Sequence, residues 1–364
     1  MGTVDVMPKE EGAAAVAAAR AGDELAFATL AERYRPELQV HCYRMLGSFE
    51  DAEDLVQETF LRAWRRRATF EGRSSFRAWL YGIATNASLD AVAQKRRRAT
   101  AGSEVLWLQP YPDRLLDAAA PREDEPDAVV VTRETIELAF LVALQHLPPT
   151  QRAVLIVRDV LGWSARETAA LLETTVAAVN SALQRARATL RKRLPERRLE
   201  PAAAEPTEEE RALLERYMEA GERDDLDGLA ETLAEEARFT MPPQPGVWVG
   251  RDVLIASWAE GGFGSEAFGR IKCLLTRANR QPAVANYLRR PGAPDYRPLA
   301  LDVLTLADGF VADIVTFPPE VFPAFGLPPS LDDPAAAYGP RRQEFPGRRP
   351  RSGQPRGHRE GDPP

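Results

Sequence analysis

Apolar residues recur at helical spacing in two separate blocks of the chain, with charged and aromatic residues set on other faces. From Ser48, which suits a helix N-cap, Leu55, Val56, Thr59, Phe60, Ala63 and Trp64 mark one face of a predicted helix, and Asp51 at its third position makes a weak capping box. Asp51, Asp54 and Glu58 share another face that has no basic run of its own. A loop over 65–73, carrying Phe70 and Gly72, enters a second helix near Ser74 or Ser75. Phe76, Leu80, Ile83 and Ala87 are its buried stripe, which leaves Trp79, Asn86, Asp90 and Gln94 facing elsewhere, ahead of a basic end at Lys95, Arg96, Arg97 and Arg98.

The second block spans 147–194. Ser164 and Glu167 form a capping box that opens a short helix through Leu172, Glu173 to Thr175 supply a turn, and a longer helix starts near Val176. This is a helix-turn-helix layout. Its second helix presents Thr175, Ala178, Asn180, Ser181, Gln184 and Arg185 in the half where such helices touch base edges, with Arg187, Arg191, Lys192 and Arg193 trailing toward phosphates.

Each feature alone also fits a plainer structure. An acidic face is the default for a solvated helix, a Trp on a helix is more often core, and a basic helical hairpin need not read DNA. Their order carries more: an acid-faced helix suits a protein partner, while aromatic and amide groups beside a basic run suit unpaired bases and phosphates.

Between the blocks, Pro110, Pro112, Pro121 and Pro126 forbid a continuous helix over 99–133, which therefore reads as a linker. Its acidic part also suits a solvated tether, whereas Trp107 to Asp113, rich in aromatic and proline residues, suits an ordered docking segment. Beyond the break at Pro201 to Pro206 the texture becomes mixed. Helices are expected over 208–221, 225–236 and along RDVLIASW, and strands over 238–241, 247–249, 283–288, 299–306 and 310–317, with Asp308-Gly309 as a hairpin turn. That break is too short for a freely roaming domain, so packing against the helical blocks is expected. The region 340–364 is Pro-, Gly- and Arg-rich, and disorder is expected there.

Composition narrows the class. At 364 residues the chain exceeds the ~250–300 residues at which single cores stop growing. Its net charge of −7 is unusual for a DNA binder, but basic residues cluster at 95–98 and 185–198 while acids gather at 113–127 and 205–236. Two cysteines, Cys42 and Cys273, give no disulfide framework and favour a reducing compartment. No apolar run approaches the ~20 residues of a membrane span, and the sequence shows no metal-ligand cluster, phosphate loop or nucleophile motif.

The motifs DAEDLVQETFLRAW and LPPTQRAVLIVRDVLGWSARETA, in this order and at this separation, resemble regions two and four of bacterial RNA polymerase sigma factors of the extracytoplasmic-function group. The resemblance covers 23–98 and 134–197, a little under half the chain with its linker. It implies that Asp51, Asp54, Gln57 and Glu58 help dock on core RNA polymerase. It implies further that Phe70, Ser74, Ser75, Trp79, Asn86, Lys95, Arg96 and Arg97 engage and open the minus-ten promoter element. Thr175, Asn180, Ser181, Gln184, Arg185 and Arg187 would read the minus-thirty-five element. The chain departs from the family pattern at Asn180 and Ala182, where Lys and Arg are common, which suggests two lost DNA contacts.

The segments FTMPP, GVWVG, RDVLIASW and LADGFVADIVTF similarly resemble the SnoaL-like branch of the cone folds related to nuclear transport factor two. That resemblance implies a concave pocket in which Phe239, Met241, Trp248, Trp258, Tyr287, Leu301 and Phe317 surround Asn286 or Asp302. The expected organisation is an extension over 1–22, an all-α helical bundle over 23–98, a linker, an all-α helix-turn-helix domain over 134–197, a second linker over 198–207, an α+β SnoaL-like cone over 208–331 and a tail over 332–364. The expected function is a cytoplasmic sigma factor acting on core RNA polymerase and promoter DNA without a cofactor, its cone regulatory and open to a small-molecule ligand. The sequence leaves an anti-sigma partner undetermined. The competing reading is a DNA-binding protein fused to a polyketide-cyclase-like enzyme. His41, His146 and His358 all lie outside the cone, so proton transfer there would fall to Asp302 or Asp313.

Overall fold

A computed structural model describes residues 9–72, 74–98, 108–118, 136–194, 206–244 and 246–332. The first four helices are α1 (Lys9–Ala21), α2 (Glu24–Leu46), α3 (Phe49–Arg66) and α4 (Phe76–Arg98). Short polar side chains set their ends. Asp23 accepts from the Ala26 amide at 3.0 Å to open α2, and Gly47, at φ 73°, closes it by donating to the Tyr43 carbonyl at 2.7 Å. Ser48 then caps α3 through the Asp51 amide, and Ser75 caps α4 through the Ala78 amide at 3.1 Å. The predicted stripe of Phe76, Leu80, Ile83 and Ala87 is buried, together with Leu38, Met45, Val56 and Phe60.

The linker contributes α5 (Asp113–Ala118), and the second block contains α6 (Leu138–Gln145), α7 (Pro149–Leu155), α8 (Ala165–Leu171) and α9 (Val176–Arg193). A π turn over Ile156–Val160 prolongs α7. The Ser164–Glu167 capping box is present, with reciprocal bonds of 2.7 and 3.2 Å, and Thr175 caps α9.

The C-terminal module is built from α10 (Glu208–Glu222), α11 (Leu226–Thr232), β1 (Leu233–Thr240), β2 (Trp248–Val249), α12 (Arg251–Glu260), β3 (Arg270–Ala278), β4 (Gln281–Arg289), β5 (Asp295–Ala307), β6 (Phe310–Phe317), α13 (Phe322–Phe325) and β7 (Leu331–Asp332). Strands run β2-β1-β6-β5-β4-β3, with β7 against β5; among the described residues only β1 and β6 pair in parallel. The helix expected over 225–236 ends at Thr232, because Leu233 already belongs to β1. Strand β3 was not anticipated.

The two faces of this sheet have different partners. Phe239, Val284, Leu304, Val311 and Ile314 pack with Leu213, Leu214 and Tyr217 of α10 and with Leu254 of α12. Ala285, Tyr287, Leu301, Val303 and Phe317 point the other way, into a core that is continuous with the helical blocks. The module is thus a wall of the helical core, and burying one face of the sheet against it supplies the apolar burial that holds the assembly together.

Candidate nucleic-acid interface

On α3, Asp54 and Gln57 are exposed. Asp51 and Glu58 are not left to solvent alone: Lys95 of α4 pairs with Asp51, and Arg62 pairs with Glu58 at 2.8 Å and with Asp90 at 3.2 Å. The expectation of an acidic face without basic neighbours is therefore corrected, because the neutralising residues come from an adjacent helix and from the next turn.

Trp79 is half-buried against Phe70 and Phe76, with ring centroids 5.3 and 5.5 Å apart, and Phe76 also meets Tyr34 at 6.0 Å. Phe70 itself is buried, so in this arrangement it props Trp79 and has no open ring face for a base. Ser74, Ser75, Asn86, Lys95 and Arg97 are exposed, although the Ser75 hydroxyl is committed to its cap; the side chain of Arg96 lies outside the described residues.

Along α9, Thr175, Asn180, Ser181, Gln184, Arg185 and Arg187 are all exposed. Arg185 donates to the Ser181 hydroxyl at 2.6 Å, which orients it along the helix. Arg187 is gripped by both oxygens of Asp159, at 2.8 and 2.7 Å, a bidentate pair that occupies its guanidinium. Ala182 is buried, so that position faces the core and represents no lost DNA contact.

The family model for sigma-70 region 2 matches residues 30–98, and that for sigma-70 region 4 matches residues 137–190. The chain is 41% identical over 329 residues to the ECF RNA polymerase sigma factor SigG of Mycobacterium tuberculosis, covering 86% of each protein. The chain is an extracytoplasmic-function sigma factor. It is also 33% identical over 180 residues to the sigma factor SigW of Bacillus subtilis, across 48% of this chain and 91% of that one. The crystal structure of the sigma factor SigJ of Mycobacterium tuberculosis shares its fold at a TM-score of 0.53 and 24% identity, over 81% of this chain and 97% of that one. The helical blocks are thus sigma regions two and four, followed by the α+β module, and transcription initiation is the sigma factor's work. The reading as a DNA-binding protein fused to an enzyme is not favoured.

Regions two and four of this sigma factor touch each other. The rings of Tyr81 and Trp163 lie 5.8 Å apart, and a Cβ on Gly82 would sit 3.4 Å from Leu171 Cδ1, so α8 rests on α4. Buried Arg152 donates to the carbonyls of Met45, Gln145 and Leu147, tying α7 to the end of α2. Docking of the linker is equally specific. Gln109 donates its amide to the Gly47 carbonyl at 2.9 Å, while its side-chain oxygen accepts from Ser48 and from the Glu50 amide. Leu108, Tyr111, Pro112 and Asp113 are buried there; Trp107 lies outside the described residues, as does the tail over 333–364.

Sequence reasoning missed the group that joins these parts. Asn279, in the turn between β3 and β4, is fully buried within the sigma regions. Its side-chain nitrogen donates to the Tyr43 hydroxyl at 2.9 Å and to the Ile136 carbonyl at 2.8 Å, and its amide and side-chain oxygen make a reciprocal pair with Tyr111 at 2.9 and 2.7 Å. Beside it, the Arg280 amide donates to Asp113, Arg277 pairs with Asp113 at 3.2 Å, and the Gln281 side chain accepts from the Leu138 amide at 3.0 Å. Burial pushes the Asp113 carboxyl up despite its arginine neighbours.

The expected pocket is divided by the sheet. Phe239, Trp248 and Trp258 meet on the inner face, with centroids 5.5 and 5.9 Å apart, and Met241 packs against the same core. Tyr287 does not join them: it lies on the opposite face against Phe322, 5.2 Å away, and its hydroxyl donates to the Pro328 carbonyl. Asn286 and Tyr287 are adjacent in β4, and the ordinary alternation of a strand turns their side chains to separate faces. Asp302 is held by Asn286 at 2.7 Å, by Thr316 at 2.5 Å and by Tyr217, and burial raises its carboxyl above the usual range. Three donors converge on this carboxyl. Among the described residues no cluster of His, Cys, Asp and Glu has the makings of a metal site, and no helix is long and apolar enough to cross a membrane.

Proposed function

We propose that the SnoaL-like cone acts as a clamp that keeps the two promoter-reading regions of the sigma factor together until core RNA polymerase draws them apart. The reading rests on buried Asn279, whose four hydrogen bonds reach region two, the linker and the start of region four at once. Elements named for positions minus ten and minus thirty-five are roughly 25 base pairs apart, about 85 Å of duplex at ~3.4 Å per pair. Helix α4 and the helix-turn-helix of α8 and α9, packed through Gly82 and Leu171, cannot serve both in that state. Opening therefore precedes full promoter contact.

In the open state α3 docks on polymerase through Asp54 and Gln57, with Asp51 and Glu58 released from Lys95 and Arg62. Trp79 and Asn86 act at the melted minus-ten strand, and Asn180, Gln184 and Arg185 act at the upstream element. These roles are carried over from the family resemblance and supported by the exposure of Asp54, Gln57, Asn86, Asn180, Gln184 and Arg185. A cytoplasmic location follows from these partners. Run-off transcription with core polymerase tests the clamp: Asn279→Gly should raise initiation at limiting polymerase, and unchanged initiation with normal polymerase binding would overturn it.

A further inference from the structure

At the end of the β3–β4 hairpin opposite Asn279, the cone carries a cavity of about 570 Å³ whose charged lining is Arg223, Arg270, Arg289, Arg290, Asp224 and Glu266. We propose that this cavity binds a phosphorylated small molecule of about nucleotide size. Four arginines and two acidic residues line it, so the cavity has a net positive lining within a protein of net charge −7. Guanidinium forks match phosphate oxygens bidentately, and the volume lies within the roughly 300–1,000 Å³ of small-molecule sites.

Arg270 is held by Asp224 and Arg223 by Glu219, the guanidinium of Arg289 lies over the Tyr296 ring, 5.0 Å from its centroid, and Arg290 is exposed. The backbone is shaped for the same purpose. Gly269 has φ 109°, and a Cβ there would fall 2.2 Å from the Arg289 carbonyl oxygen; Gly264 and Gly292 on the rim also have positive φ. No other residue type lets the strands close in this way without pushing side chains into the space. A nucleic-acid backbone would need a basic track leading away from the cavity, but the adjoining α10 mixes Glu215, Glu219 and Glu222 with Arg211 and Arg216. That mixed charge favours a compact ligand.

Position gives the site its consequence. Arg270 and Arg289 are the first registered pair of the hairpin, and Ala278 and Gln281, which flank the buried turn, are the last. A ligand that draws Arg270 and Arg289 together acts on the two strands that carry Asn279; this coupling rests on the clamp reading, whereas the binding itself does not.

The test is isothermal titration of the full chain with inorganic pyrophosphate, ATP and GTP at low and moderate salt. At least one probe should bind one to one and more weakly as salt rises, with affinity reduced tenfold or more in Arg289→Gln/Arg290→Gln and unchanged in Arg251→Gln on α12. If circular dichroism shows the double variant unfolded, Arg290→Gln alone, at an exposed position, should weaken binding at least threefold. No heat with any probe at millimolar concentration, wild-type affinity in the folded variants, or displacement of pyrophosphate by random duplex DNA would each overturn the proposal. Because no polymerase is present, failure here leaves the clamp standing. Loss of the clamp in transcription likewise leaves the binding site standing.

Discussion

The side-chain amide of Asn279 donates to the hydroxyl of Tyr43 at 2.9 Å, joining residues 236 positions apart. That hydroxyl donates in turn to the Gln109 carbonyl, so the turn of a C-terminal hairpin, the linker and helix α2 share one buried chain of hydrogen bonds. Asn279 has φ 56°, a conformation glycine also adopts, so Asn279→Gly keeps the turn and deletes only the side-chain contacts. The Tyr111 amide and Ile136 carbonyl then lose partners in a dry interior, at about 1–3 kcal/mol each. Chemical denaturation should show a loss of ~3 kcal/mol, while affinity for core polymerase rises. A variant as stable as the wild type would mean that these bonds contribute nothing net.

The surface pairs on α3 make the docking face testable residue by residue. Exposed ion pairs such as Lys95–Asp51 and Arg62–Glu58 contribute roughly 0–1 kcal/mol, so charge changes here leave the fold intact. Asp54→Lys should weaken co-purification with core polymerase at least severalfold without moving the melting temperature. Asp51→Asn should have a smaller effect, because Lys95 already offsets part of that charge. Equal retention of both variants on polymerase would exclude α3 as the docking face.

Asp159 holds the guanidinium of Arg187 on the flank of the recognition helix. Removing its charge with Asp159→Asn should free Arg187 for a phosphate. Upstream-element duplex should then bind more tightly, with a dependence on salt steeper by about one counterion. Arg187→Ala should bind no tighter than wild type and should abolish the effect of Asp159→Asn. Fluorescence anisotropy across a salt series measures both. Identical slopes in all three proteins would show that Arg187 does not meet DNA.

What the sequence made legible were features closed by local chemistry. Ser48, Ser75, Thr175 and the Ser164–Glu167 pair cap helices within three residues of themselves, and Asp308-Gly309 turns β5 into β6 with both φ values positive. Strand β3 escaped because most of its residues are partly buried on both faces, which erases the period of two, and because Lys272 and Arg277 interrupt it. The Asn279-Arg280 turn contains no glycine, and both residues hold positive φ through contacts with parts of the chain more than a hundred positions away. The facing of Tyr287 was legible, since it alternates with Val284 and Asn286 along β4 and a strand sends adjacent side chains to opposite faces. The exposure of Asp54, Gln57, Asn180 and Gln184 was readable from periodicity; the pairing of Asp51 with Lys95 and of Arg187 with Asp159, on other elements, was not.

His41 gives the fold a pH dependence with a definite sign. It is completely buried in α2, hydrogen-bonded to Thr85 at 2.9 Å and set against the Tyr81 ring at 5.0 Å. Burial, reinforced by the charges of Arg44 and Arg77, lowers its pKa from 6.5 to about 3. Between those values the unfolded chain takes up a proton that the folded chain refuses, so stability rises with pH across this window and His41 adds no slope above it. One proton corresponds to about 1.4 kcal/mol per pH unit. From pH 6 to pH 5 urea denaturation should therefore show a fall near that size beyond the contribution of the carboxylates. The His41→Gln variant, which keeps a polar side chain opposite Thr85 but cannot titrate, should lose that part of the slope. If wild type and variant fall in parallel, the imidazole is taking up its proton in the folded state and the region-two core is open to water at that point.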